Sequence, residues 1–489
     1  MAVALDPNAV AAGLGLSVTY EDRRGSASLY LPQQIAVIGQ GNSAVTYATT
    51  PWQVTSLREC GVRYGIGSPV YLAVKMLLPP NGDGVGSIPV TVYPLQDHAS
   101  GAPSVGTITI AGTATAATSI RFRIGGVLTE PCTIPVGAVN ATTAHAAAKA
   151  AIESTLDVPT VMTGTTSLTA TSRWEGESAN DIKIEVVTED LNGITVTIVQ
   201  PTSGLNNPSV QGALDQIVDR WETMVVNCLN YTDTTALTAI NTWGEGRWQP
   251  GLMKPAVVFA GCNVASSTTA ITISDARKTD RVNVQINDPG SPDLPLTIAA
   301  RAVARIAVVA NGNPPTGYTG QKLTQTTPGA EASQWSFALR DAVKKGGGST
   351  VELVDGVAQL SDVVTMYHPS GENPPAYAEV VTIVKLQNAI YRYRLPFMRA
   401  DWAAAPLIPD NQVSRNPNAR TPSAAKGEAD AVTEALGLDA IVSDPKTIKR
   451  GTVARISGPN RLDVIIPIYV SGNTFQKAID LSFAFYFGG

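Results

Sequence analysis

Residues 34–44 read QIAVIGQGNSA, four consecutive apolar residues closed by a glycine-flanked turn. A short apolar run bounded by turn residues predicts a strand buried on both faces. Helical spacing follows after Pro51 and again after Ser68, and SIPVTVYPL at 87–95 predicts another buried strand. Strand, helices and strand in this order predict helices packed on a largely parallel sheet. The expected fold class is α/β (α+β), and 489 residues exceed one ordinary core, so several domains are expected.

On the N-terminal side, residues 1–30 hold too little apolar surface for a core and predict an arm, with the alternating stretch LSVTY at 16–20 as its strand. On the C-terminal side, composition shifts near Asp97 to Thr, Ser, Gly and β-branched residues, predicting an inserted β-rich unit over 98–200, of sandwich or barrel type. There Ile120, Phe122 and Ile124 alternate with Arg121 and Arg123, the period of a strand with one wet face. An Ala-rich helix is expected over 142–155. Beyond Pro208 the spacing of Leu214, Ile217, Val218, Trp221, Val225 and Leu229 predicts a long helix, by which the first domain resumes. That domain is expected to cover 31–97 and 201–328, its end marked by the Gly/Pro/Thr-rich linker 311–329.

A second α/β domain is expected over 329–478, with a hairpin turning at Asp355–Gly356, a long helix near 377–393, a helix near 423–436 and strands near 452–456 and 462–469. The last residues, 479–489, contain LSFAFYF. Leu481, Phe483, Phe485 and Phe487 share one face of a terminal strand.

Charged residues are 15% of the chain, below the roughly 25% usual for soluble domains. Interface cores are depleted in charge, so much of this surface is expected to be covered by other copies. Net charge is −5, and no long basic run supplies the counterion release that drives nucleic-acid binding. No membrane insertion or secretion signal is expected from the sequence. Cys60, Cys132, Cys228 and Cys262 are far apart and predict small buried side chains of a reducing cytoplasm.

Catalysis needs converging titratable groups, and the sequence offers none of the common sets. His98, His145 and His368 are isolated, and no metal or cofactor is expected. Gly39, Gly41 and Ala44 formally match a dinucleotide fingerprint, but no acidic residue ends a second strand some twenty positions later. These glycines are instead expected to provide positive φ at a strand exit. Lys344 and Lys345 before Gly346–Gly348 predict a helix C-cap rather than a phosphate loop.

Several segments resemble the tail sheath proteins of contractile-tailed, Mu-like bacteriophages, in the family's order along nearly the whole chain. They are VIGQG at 37–41, YGIGSPV at 64–70, IRFRIGG at 120–126 and SLTATSRWEGESANDIKI at 167–184, then VDGVAQLSDVVTMYHPSG at 354–371 and GPNRLDVIIPIYV at 458–470. The resemblance implies a non-enzymatic virion subunit, assembled in the bacterial host cytoplasm as a homo-oligomeric helical sheath. Its implied partners are the tail tube, baseplate and tail terminator proteins, without direct nucleic-acid contact. It further implies two mixed α/β core domains, the second (329–478) facing the tube, with the 98–200 unit protruding.

On this reading Leu16, Val18 and Tyr20, together with Leu481, Phe483, Phe485 and Phe487, form strands exchanged with neighbouring copies, and Gly25 and Gly472 are hinges. Two other readings of the residues stay open: a surface-array or adhesin subunit, and an α/β nucleotide-binding enzyme with its site at Gly39–Gly41.

Overall fold

The computed structural model describes residues 30–188 and 190–475. Its centre is an eight-stranded sheet in the spatial order 357–362, 349–354, 283–287, 257–262, 224–227, 35–40, 90–95 and 52–53. The inner strands run parallel, and the 349–362 hairpin and the short 52–53 strand add antiparallel edges. Every residue of Ile35–Gln40, Val90–Leu95 and Val257–Cys262 is buried, as continuous apolar runs require when helices cover both faces. Pro69–Leu77 and the largely buried Pro295–Gly312 share one apolar cluster with Ile35, Val37, Val226 and Phe259. Gln211–Ile217 and Thr234–Gly246 cover Ile38, Val225 and Val258 from the other side.

The long helix expected through Leu229 is a correction. The helix stops at Ile217, Val218 takes φ 41°, and Val225 lies in the central strand Met224–Asn227. The helical spacing arises because Leu214, Ile217, Val225 and Leu229 all enter one core from different elements. The β-branched pair Val225–Val226 fits a strand held between two others.

The sheet also runs across the domain limit expected at residue 328, since Ser349–Val354 pairs with Asn283–Asn287. The stretch 311–329 is nevertheless largely without regular secondary structure. Among the described residues, the strands within 98–200 pair only with one another, in sheets of five, three and two strands. None of these closes on itself among the described residues, so the barrel alternative is set aside. Ile120, Phe122 and Ile124 are buried as their alternation predicts, with the strand interrupted at Arg121. The Ala-rich helix spans Ala141–Ser154, with Asn140 as its N-cap.

Past the sheet, Val380–Phe397 is the connecting helix. Its first half, Val380 to Val384, packs into the main core, and Ala389 and Tyr393 enter a separate cluster with Leu436, Ile441 and Ile448. Between them Gln387 donates to the carbonyls of Thr223 (3.3 Å) and Pro255 (3.0 Å), and Asn388 accepts the Leu31 amide (2.8 Å). Buried amide side chains with fixed partners hold the helix in one register. Pro422–Leu438, Pro445–Gly451 and the hairpin Val453–Gly458/Arg461–Ile465 complete this C-terminal layer.

Candidate assembly interface

Of the residues expected to exchange strands or hinge, Leu16, Val18, Tyr20, Gly25, Leu481, Phe483, Phe485 and Phe487 lie outside the described residues. Gly472 lies within them, exposed, and apart from its chain neighbours no atom of the described residues lies within 4 Å of where a side chain would begin. Its neighbours are held. The Ser471 amide donates to Ile441 O (3.1 Å), and Val470 bridges Val442. Buried Lys385 donates to Ser471 O (2.7 Å) and to Asn473 Oδ1 (2.6 Å), while Asn473 Nδ2 donates to Pro315 O (2.7 Å). Burial alone pulls the Lys385 ammonium down to about 8. Phe475 then lies 5.0 Å from Lys344 Nζ, in cation–π contact. The C-terminal segment is thus fastened on both sides of Gly472.

A place to receive a strand is offered by the hairpin Val453–Gly458/Arg461–Ile465. It is a two-stranded sheet with neither outer edge paired to another strand among the described residues. Two strands alone are marginal, and an open edge is a template for a further strand. One face packs on the cluster of Leu436 and Ile448 through Val464, whereas Val453 and Ile465 are about half exposed at 50% and 52%. Beside it a groove of about 550 Å³ is lined by Tyr393, Phe397, Met398, Trp402, Leu462 and Val464. At the strand's start Arg461 Nε donates to Asp463 (2.7 Å), and this bond holds the Asp463 carboxyl below the usual carboxylate range.

The main sheet offers no such edge at its C-terminal hairpin. There the Gly320 amide donates to Leu360 O (2.8 Å), Leu360 donates to Gln321 O (2.9 Å) and Leu323 donates to Ala358 O (2.8 Å). Those bonds cover the outer strand. GPNRLDVIIPIYV carried this acceptor in the sequence as a β-branched run, but periodicity cannot report whether a strand finds neighbours.

At Gly39–Gly41 the amides a phosphate would need are already bonded. Gly41 donates to Tyr47 Oη (2.9 Å), Asn42 to Tyr64 O (2.7 Å) and Ser43 to Arg173 O (2.8 Å). Neither Gly39 nor Gly41 has positive φ, which corrects the expectation; each is small because a neighbour presses on it. A Cβ on Gly39 would lie 2.7 Å from Cys228 Cβ, and one on Gly41 would strike the Tyr47 ring. His145 is buried, its Nδ1 against Ala141 O (2.6 Å) and its Nε2 accepting from the Ile110 amide (2.9 Å). His368 lies far along the chain, bonded to Met366 O (2.7 Å) and Asp275 (3.2 Å). Ser336 caps Phe337–Lys345, which ends at Gly346 with Lys344 and Lys345 in its last turn, as the cap reading required.

No family model matches the chain. It is 24% identical over 353 residues, 70% of either chain, to the Mu-like prophage FluMu tail sheath protein of Haemophilus influenzae. Among solved structures, the sheath tail protein of Desulfitobacterium hafniense aligns at 10% identity with TM-score 0.47, covering 93% of this chain and all of that one (100%). The helical sheath of the anti-feeding prophage in its contracted state aligns at 9% identity with TM-score 0.48, covering 97% of this chain and 99% of that one. The resemblance carried by the quoted motifs is therefore matched by similarity to a Mu-like tail sheath protein over most of the sequence.

Proposed function

We propose that this chain is the structural subunit of a contractile phage tail sheath, a part of the virion that polymerises as stacked helical rings around the tail tube. Contraction drives the tube through the host envelope for genome delivery, and the role is non-enzymatic. The observation that carries this reading is the similarity to the FluMu tail sheath protein across 353 residues. The open hairpin at Val453–Ile465 agrees with it, because a polymer subunit needs an incomplete sheet for a neighbour to complete.

In the assembled sheath, Leu481, Phe483, Phe485 and Phe487 of one copy and Leu16, Val18 and Tyr20 of another both add strands to that hairpin. The apolar face of the added strand fills the groove beside Phe397 and Trp402. Main-chain hydrogen bonds of this kind persist as the bodies they join reorient, so connectivity is kept while rigid bodies rotate about Gly25 and, once the bonds of Ser471 and Asn473 are released, about Gly472. The C-terminal layer faces the tube, the 98–200 unit faces outward, and baseplate and terminator proteins close the two ends. The extended sheath is a kinetically trapped state, and its contraction needs no nucleotide.

Negative-stain electron microscopy of the purified full-length chain tests this reading. Hollow tubes of uniform diameter should form without nucleotide or metal. Monodisperse particles at every salt concentration would contradict it.

A further inference from the structure

We propose that the loop 288–294 is a proton-operated latch that holds the 103–199 strands against the eight-stranded sheet. The loop leaves strand Asn283–Asn287 and enters helix Pro295–Gly312, and three regions meet on it. From the β-rich unit, Lys183 Nζ donates to Ser291 O (2.7 Å). The turn Gly125–Gly126 sits directly on Asp293; Gly126 has φ 87°, and any side chain there would collide with the Asp293 carboxylate. From the sheet, Asn263 Nδ2 donates to Asp293 O (2.9 Å). From the connecting stretch, the Thr327 amide donates to Asp293 Oδ2 (2.7 Å) and Ser291 Oγ donates to Thr327 O (2.7 Å).

Two carboxyl groups are sealed in this junction, Asp288 at 1% exposure and Asp293 at 4%. Neither has an ion-pair partner among the described residues, and Asp288 Oδ2 lacks any hydrogen-bond partner there. Two cations lie nearby and offset the burial only in part: Lys183, bonded to the Ser291 carbonyl, acts by its charge on Asp288 and Asp181, and Arg123, paired with Glu185 at 3.7 Å, acts on Asp293, which Glu185 opposes. Asp181 of the β-rich unit and Cys262 and Tyr231 of the sheet complete the titratable surroundings, and the connecting stretch 327–329 brings none. Sealed carboxyl groups without an ion pair are disfavoured as anions, and protonation relieves that cost.

Burial pushes Asp288 up to about 7, helped by the charge of Asp293, and burial pushes Asp293 and Asp181 to about 7 as well. Values raised above those of the unfolded chain give stability that is complete below the unfolded value near 3.8 and is lost as pH rises through about 7. The β-rich unit should therefore be held more firmly at mildly acidic pH and loosened above neutrality, where the Asp293 carboxylate is ionised under Gly126 and Asp288 is ionised in the same loop.

Hydrogen exchange of full-length protein at pH 5.5 and 8.5 tests the latch, read as protection factors in 122–128 and 183–186 alongside the Asp288→Asn/Asp293→Asn variant. Wild type should lose protection there by roughly tenfold or more at the higher pH, as release of one such group allows, and the variant, which keeps only Asp181, should lose distinctly less. The same loss in both chains, or none in wild type, would overturn the proposal. Should the double variant fail to fold, urea unfolding of wild type decides: a midpoint falling between pH 5 and 8 supports the latch, and a level midpoint removes it.

Discussion

Ile35–Gln40 and Arg461–Ile465 are both short strands rich in β-branched residues, yet every residue of the first is buried and none of the second is. The first lies between two parallel partners, with helices over both faces. Among the described residues the second has one partner, one packed face and an unpaired outer edge. The same backbone chemistry thus gives a finished core in one region and an unfinished sheet in the other, and an unfinished sheet is what a polymer can use. The helix Val380–Phe397 reaches from one to the other, so force applied to the hairpin is delivered to the core.

The largest effect is expected where the sheet leaves no room. A Cβ at Gly261 would run into the Pro295 carbonyl, so Gly261→Val should cost about 3 kcal/mol or more and yield a misfolded chain by circular dichroism. Unchanged melting would show the sheet is looser than described. Next, Ile38→Ala, fully buried, should lose about 2–5 kcal/mol in denaturant titrations. Ile465→Ala, 52% exposed, should lose no more than about 0.5 kcal/mol. Equal losses would erase the contrast between the two regions.

The comparison sharpens at Met398, which is 70% exposed yet lines the groove. Met398→Asp should leave the melting temperature unchanged and raise the concentration needed for tube formation about tenfold, near 1.4 kcal/mol per contact. Unaltered assembly would move the receiving surface elsewhere. The smallest effect concerns Lys385, whose ammonium is lowered from 10.5 to about 8. A depressed folded value gives stability that is present above the unfolded value and is lost as pH falls toward about 8. Wild type should therefore gain on Lys385→Met as pH rises from about 8 to 10.5, measured as the difference between their unfolding midpoints. A constant difference would mean Lys385 is not desolvated.

Much of the core was legible because it is local. The apolar run at 35–38, the Asp355–Gly356 turn, the helix that follows Ser68, the C-terminal cap at Gly346 and the alternation at 120–124 each state their structure within a few residues. The span 211–229 misled because a helical spacing and a shared core look alike until the chain's path is known. Gly39 and Gly41 misled for a similar reason: a close approach by Cys228 or Tyr47 depends on partners remote in sequence or folded back through tertiary structure. The junction carboxylates Asp288 and Asp293 were invisible for the same cause, since burial is a property of what packs over them. The receiving hairpin was seen as strands, but an open edge is defined by absent neighbours and has no signature of its own.

Removing Leu481–Gly489 tests the central claim most directly, with thermal unfolding and negative-stain electron microscopy performed on the same preparation. The account predicts a subunit that melts as the full chain does and forms no tubes, because the hairpin of each copy waits for a strand that no longer arrives. Tubes of normal diameter from the shortened chain would contradict it.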